Sequence, residues 1–187
     1  MSKIPVKNIY YMLCYAWNIL DEAEKVKIDL DSYNQEINLL GTVLNTALNY
    51  QLRRGIYKDY IEETEKMSLI KGKIEFSQSV KQSTFQTSKA ICTYDNFSEN
   101  IKHNQLIKAA LYRALKSDNI DPKLAINIKQ SLNLLSNVDD IEYEHGSFNN
   151  LRIPRNHKFY KFLLSISEFI LVNSSLNLVG FGCDSWC

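Results

Sequence analysis

The chain has 187 residues, 45% hydrophobic and 23% charged, with only 6 glycines and 3 prolines, which are globular values that exclude a long disordered linker. Its net charge of +1 excludes a global pull toward nucleic acid or an anionic membrane, so any DNA contact must come from a local patch. The sequence contains no apolar run of about 18 residues and no apolar export core at its start, so a helical membrane span is excluded and the cytoplasm is the expected compartment. At this length one compact unit is expected.

The first 20 residues open on a helical stripe, in which Ile9, Met12, Leu13, Ala16, Ile19 and Leu20 recur at three- and four-residue spacing and Asn8 is placed to cap the start. Tyr10, Tyr11, Tyr15 and Trp17 flank that stripe and serve either the core or a partner-docking surface. Residues 21 to 31 mix both signs of charge, the pattern of a solvated helix end and loop, and Asp31 to Asn34 supply turn chemistry. A second helix is expected over about 35 to 54, with Ile37, Leu40, Leu44, Ala47, Leu48 and Leu52 on one face, ending at Gly55. Arg53 and Arg54 fall in its last turn, where cations suit the negative end of the helix dipole.

From 58 to 97 the apolar residues come in short or alternating pieces, which predicts strands forming a small antiparallel sheet or partial barrel. Helical periodicity returns over about 100 to 117, where Asn104, Ile107, Lys108, Leu111, Ala114 and Leu115 share a face before Asp118 and Asn119 stop it. Asp121 as cap and Pro122 in the first turn predict a fourth helix carrying Leu124, Ile128, Leu132 and Leu135, the second arm of a helical hairpin. Residues 139 to 144 alternate weakly, as a further short strand would, and 145 to 154 form a loop rich in Gly, Ser and Asn. A fifth helix, about 156 to 173, aligns Phe159, Phe162, Leu163, Ile166, Phe169 and Ile170. The expectation is an α+β fold: about five helices packed on a small, mostly antiparallel sheet formed by the middle third.

Few residues carry recognisable chemistry. Cys14, Cys92, Cys183 and Cys187 lack C-x-x-C spacing, and His103, His145 and His157 show no ligand spacing with them, so no metal ligand is assigned. Cys14, in an apolar helix, reads as a buried inert thiol. A metal-dependent nuclease needs clustered carboxylates with a nearby lysine, and Glu63-Thr64-Glu65-Lys66 is the nearest string, in the wrong order and in a polar segment. There is no G-x4-G-K-[ST] phosphate loop. Lys71-Gly72-Lys73 is either a basic turn touching a partner or phosphate, or a glycine turn with solvated lysines. Arg53 and Arg54 either reach a partner or DNA backbone, or simply close their helix. Asp95 and Asn104, polar residues between apolar runs, either hydrogen-bond locally or face a partner. Arg155, Asn156 and Tyr160 read as a polar, capping entry to the last helix.

Several separated strings, in order, resemble the McrC subunit of McrBC-type, 5-methylcytosine-specific restriction systems. They are Ile4-Pro5-Val6-Lys7-Asn8-Ile9-Tyr10-Tyr11-Met12-Leu13 with Tyr15-Ala16-Trp17; Arg53-Arg54-Gly55 with Tyr60; Lys71-Gly72-Lys73-Ile74-Glu75-Phe76; Thr93-Tyr94-Asp95 with Asn104 and Ile107-Lys108; and Tyr160-Lys161-Phe162. The resemblance spans about residues 4 to 178 and is to the N-terminal region of that subunit. It implies a partner, an McrB-like hexameric AAA+ GTPase, whose GTP hydrolysis this region stimulates on docking, and DNA reached only indirectly through the complex.

The resemblance makes Arg53, Arg54, Lys71, Lys73, Asp95 and Asn104 the candidate partner-binding residues and assigns no catalytic residue. GTP and magnesium are expected on the partner or on a C-terminal nuclease domain of the PD-(D/E)xK type, not on this chain. Residues 1 to 178 are expected to be the docking domain, and 179 to 187, where GFGCDSWC departs from the family pattern, a divergent tail before a missing nuclease. On this reading the chain is not an enzyme as it stands. The alternatives are a stand-alone metal-dependent nuclease and an inactive decayed fragment.

Overall fold

The computed structural model describes residues 6–16, 18, 20–26, 28, 35–149, 151–154 and 157–179. The expected tail at 179 to 187, Ile19 of the first stripe and Trp17 beside it, the turn at 31–34, Arg155, Asn156, Cys183 and Cys187 lie outside them, except for the backbone of Val179. The fold is α+β, as expected: five helices of more than six residues, two shorter ones and a three-stranded antiparallel sheet among the described residues. Instead of the single compact unit expected, the chain divides into two, residues 57–101 and the remainder, because the sheet residues make most of their contacts with one another.

The larger unit is helical. Its helices are α1 (Val6–Ala16), α2 (Leu20–Ala23), α3 (Glu36–Arg54), α5 (Lys102–Leu115), α6 (Pro122–Leu134) and α7 (Lys158–Val179), with α4 (Phe76–Lys81) belonging to the other unit. The apolar faces foreseen for α3, α5, α6 and α7 form the core: Leu40, Leu44, Leu48, Ile107, Leu111, Ile128, Phe162, Leu163 and Ile166 are all buried. Each such side chain contributes about 1.5–3 kcal/mol by leaving water. α5 packs most extensively on α7, and α3 meets α5, α6 and α7. Asp121 caps α6 as expected, its Oδ1 accepting from the backbone N–H groups of Lys123 (2.8 Å) and Leu124 (3.2 Å), with Pro122 in the first turn. Gly55 ends α3, its N–H returning to the Leu52 carbonyl at 3.2 Å.

Three local expectations fail. Asn8 lies inside α1 rather than at its cap, and the buried face of that helix is Tyr10 with Cys14, while Met12 and Ala16 of the expected stripe are exposed, as is Leu20 in α2. The helix therefore buries a tyrosine that the sequence placed beside the stripe, rotating the inward face. The charged stretch after it is not wholly solvated: Glu22, Ala23 and Val26 are buried, with Lys25 Nζ on Glu22 at 2.5 Å and α2 packed on α7. Residues 139 to 144 form no strand. They belong to the helical unit, and Asp140 to Tyr143 line a cleft with Tyr112 and Arg113 of α5, anchored by Lys108, whose buried Nζ donates to the Val138 carbonyl (2.5 Å) and to Asp140 (2.8 Å).

In the smaller unit, β1 (Asp59–Met67) and β3 (Ala90–Ser98) pair antiparallel in a register that sets Glu63 opposite Tyr94 and Thr64 opposite Thr93. The two-residue β2 (Lys73–Ile74) joins the other edge of β3, giving the order β1-β3-β2. The middle third also holds α4 (Phe76–Lys81) and a 3-10 turn at Thr84–Thr87, which short apolar pieces had predicted as strand. They dock through Ser79, whose buried hydroxyl accepts from the Ile91 N–H at 2.9 Å, and through the Glu75 N–H, which donates to the Ile91 carbonyl at 2.8 Å.

Candidate partner-binding surfaces

Strand alternation sorts the sheet side chains onto two faces. One carries Ile61, Glu63, Glu65, Ile74, Cys92, Tyr94 and Asn96, and the other Tyr60, Glu62, Thr64, Lys66, Thr93, Asp95 and Phe97. On the first face the Tyr94 hydroxyl donates to Glu63 (3.2 Å) and Glu65 (3.1 Å), and Asn96 Nδ2 donates to Glu63 at 3.1 Å. Partial burial, then those two carboxylates, push the Tyr94 phenol up to about 12. Lys66, the lysine of the nuclease-like string, is on the opposite face from Glu63 and Glu65, so the three do not converge. Among the described residues no three His, Cys, Asp or Glu side chains come together as metal ligands would.

Lys71-Gly72-Lys73 crosses to the β2 edge. Lys71 Nζ sits 3.8 Å from the Tyr94 ring centroid, and Lys73 pairs with Glu75 at 3.1 Å. Both lysines remain exposed. Gly72 has φ +70, and a Cβ there would lie 2.3 Å from the Thr93 carbonyl oxygen and 2.7 Å from Tyr94 Cβ, so the close approach admits no side chain. Asp95 is exposed on the second face, directly opposite Glu62, a like-charge cross-strand pair that opposes the sheet slightly. Next to it the exposed rings of Tyr60 and Phe97 pack at 5.1 Å.

The other candidates belong to the helical unit. Arg53 and Arg54 are exposed at the end of α3, and Arg54 Nη1 donates to the Tyr50 hydroxyl at 2.8 Å. Asn104, in contrast, is 1% exposed and its Oδ1 accepts from the buried Tyr160 hydroxyl, so it ties α5 to α7 inside the unit. Of the four aromatics of the first stretch, Tyr10 is core while Tyr11 and Tyr15 are exposed. Burial holds the Tyr10 phenol well above its ordinary pKa and also pushes the Cys14 thiol up.

The strongest surface feature was not singled out from the sequence. Leu69, Ile70, Phe76, Val80 and Phe85 are all exposed, at the end of the sheet where β1 stops at Met67 and β3 begins at Ala90. Phe76 and Phe85 contact each other at 6.1 Å. The same stretch, 66 to 89, carries Lys66, Lys71, Lys73, Lys81 and Lys89 against Glu75 alone, so the segment that bears the apolar groups is basic. The four-residue spacing of Phe76 and Val80 was the available signal.

In fold the chain is of the McrBC class. It matches a chain of the cryo-EM structure of the Thermococcus gammatolerans McrBC complex with a TM-score of 0.60 and 15% identity, over 85% of this chain and 51% of that one. A half-complex from a tetradecameric assembly of Thermococcus gammatolerans McrB AAA+ hexamers with bound McrC matches with a TM-score of 0.59, over 83% of this chain and 39% of that one. Residues 5–181 match the family model of the McrBC 5-methylcytosine restriction system component, and the chain belongs to that family. It is 32% identical over 171 residues, 91% of its length, to the type IV methyl-directed restriction enzyme EcoKMcrBC of Escherichia coli (strain K12), covering 49% of that protein. The chain thus spans about half the length of relatives it matches, and the resemblance drawn from its sequence motifs is borne out. No helix among the described residues is long and apolar enough to cross a membrane.

Proposed function

We propose that this chain is the partner-docking region of an McrC-type subunit, which binds a hexameric AAA+ GTPase and stimulates its GTP hydrolysis within a modification-dependent restriction complex. The observation that carries this reading is the apolar, basic surface of residues 69 to 85 in a chain whose fold recurs in structures of McrB AAA+ hexamers with bound McrC. Five large apolar side chains in water are a cost to an isolated protein and a gain to one that is covered. The surrounding lysines select an occupant with acidic groups around an apolar seat.

In this reading Lys71, Lys73 and Asp95 contact the partner from the sheet unit, and Arg53 and Arg54 from the end of α3. Asn104 serves them from inside by holding α5 to α7. GTP and magnesium are bound by the partner or by a nuclease domain, DNA is met through the complex, and the assembly works in the cytoplasm. None of the described residues is assigned a part in DNA cleavage. The test is to mix the chain with the AAA+ GTPase of its own system and measure co-elution and GTP turnover. Association with a faster turnover is expected, and neither association nor a rate change would sink the reading.

A further inference from the structure

Residues 139 to 144 form neither helix, turn nor bend, so the chain runs extended there. Its side chains alternate as a strand's do: Ile141 and Tyr143 are half-buried, while Asp140, Glu142 and Glu144 are exposed. Among the described residues, the backbone N–H and carbonyl groups of Asp140, Ile141, Glu142 and Tyr143 make no hydrogen bond. Both ends of the run are nevertheless anchored. Lys108 Nζ holds the Val138 carbonyl and Asp140 at one end. At the other, the Glu144 carbonyl accepts from the Ser147 N–H (3.0 Å) and the Glu144 N–H donates to Ser147 Oγ (3.3 Å). A strand edge left unpaired is a template for another strand, which folded proteins close with a proline, a bulge or a covering element. No proline or glycine interrupts Asp139 to Glu144.

Charge selects the strand that can pair with this edge. Asp140 is already taken by Lys108, but Glu142 and Glu144 make no ion pair among the described residues, and neither does Glu168 of α7. Burial, and then the Glu168 carboxylate, push the Tyr143 phenol up, which sets that carboxylate near the same run. The cleft of about 590 Å³ that Asp140 to Tyr143 line also carries Arg113 and Lys116 of α5. Arg113 is engaged by another residue, so three unpaired carboxylates stand around the run against the single unpaired ammonium of Lys116. A second copy of this edge would set glutamates against glutamates, and a nucleic acid would bring phosphates to them. Opposite charges facing each other across paired strands are favourable instead.

We propose that residues 140 to 143 are a strand-addition site for an extended segment of a partner protein that bears lysine or arginine at alternate positions. The added backbone pairs with the free N–H and carbonyl groups, its basic side chains lie beside Glu142 and Glu144, and its intervening small or apolar ones lie on the side of Ile141 and Tyr143. The inference does not rest on the docking of a GTPase, since it uses none of the residues assigned to that surface.

The test titrates the full nitrogen-15-labelled chain with four capped hexapeptides. They are Lys-Thr-Lys-Val-Lys-Thr, the same peptide with glutamate for lysine, one of the same composition with its three lysines in succession, and the first with its backbone nitrogens methylated. The expected result is that the first binds most tightly, shifts the amide resonances of Asp140 to Tyr143 saturably and slows hydrogen exchange at alternate members of that run. Glu142→Lys with Glu144→Lys, at two exposed side chains, is expected to leave the melting temperature unchanged and to weaken that peptide about three- to tenfold, the worth of two cross-strand charge pairs. The proposal is overturned if any of the other three peptides binds as tightly as the first, if the double variant binds it as the parent does, or if saturation leaves exchange at all four amides unchanged. Self-association of the chain alone that protects those amides would assign the edge to a second copy and overturn it too.

Discussion

Lys71 holds its Nζ 3.8 Å from the centre of the Tyr94 ring, while the hydroxyl of the same ring donates to Glu63 and Glu65 on the neighbouring strand. One tyrosine thus joins all three strands' neighbourhoods: its backbone belongs to β3, its hydroxyl reaches β1, and its ring carries the lysine that leads into β2. A cation over a ring is worth about 0.5–1 kcal/mol where water has access, enough to bias the direction of a turn without fixing its lysines rigidly. The basic turn is accordingly an ordered part of the sheet unit whose charge still faces solvent.

Tyr94→Phe keeps the ring under Lys71 and removes the hydroxyl bonds to Glu63 and Glu65. The phenol, with an ordinary pKa of 10.0, is pushed up to about 12 in the folded chain. Its raised folded value means the stabilisation is fully present below about pH 10 and is lost as pH rises toward 12, because the unfolded chain releases that proton first. Urea unfolding of the sheet unit, followed at pH 9 and pH 11.5, is expected to show a smaller alkaline loss in Tyr94→Phe than in the parent. An identical loss in both proteins would remove Tyr94 as a source of the alkaline sensitivity.

Gly72→Ala sets a methyl against the Thr93 carbonyl and Tyr94 Cβ in a backbone with φ +70. Left-handed backbone alone costs a side-chain-bearing residue about 1–2 kcal/mol, and the clash with strand backbone adds to it. Hydrogen exchange at β2 and the central residues of β3 is expected to accelerate by at least tenfold, with α5 and α7 amides little changed. Unaltered exchange at Thr93 and Tyr94 would show that the turn relaxes around the methyl at no cost.

How far the sequence foretold this molecule depends on whether a residue's neighbours in sequence decide its fate. α3 and α6 were legible because their ends are punctuated, by Gly55 and by Asp121 with Pro122, and their apolar residues keep one period. α1 was misread in rotation because tyrosine scores as ambivalent, and only tertiary packing puts Tyr10 inside and Met12 outside. Residues 139 to 144 have a strand's alternation, but a strand needs a partner, and α5 with Lys108 is what they found. Among the candidate site residues, the exposure of Lys71 and Lys73 was foreseeable from charge. The burial of Asn104 against Tyr160, 56 positions away, was not.

Tyr160→Phe removes the hydroxyl that donates to Asn104 in the interior of the helical unit. Deleting one side of a buried hydrogen bond costs about 1–3 kcal/mol, and here the loss falls on the α5 and α7 pairing, the most extensive in the unit. A lower melting temperature is expected, and Asn104→Leu with Tyr160→Phe together should cost less than the sum of the two single changes, as residues that share one bond do. Strict additivity would mean the two side chains act independently.

Leu69→Asp with Ile70→Asp changes the two apolar side chains at the β1 to β2 turn, 84% and 60% exposed, into carboxylates. Since neither is buried, the melting temperature should stay within the small range of surface substitutions, about ±0.5 kcal/mol in stability. Association is another matter. If residues 69 to 85 seat against an apolar patch ringed by acidic groups, the change removes two apolar contacts and sets like charges against the partner, which costs affinity twice over. The double variant is expected to lose co-elution with the GTPase and the accompanying rise in GTP turnover, while Lys71→Ala with Lys73→Ala lowers affinity in a way that shrinks as salt is raised. A double variant that binds and stimulates as the parent does would move the docking surface away from this turn, leaving the Arg53 and Arg54 end of α3 as the place to test next.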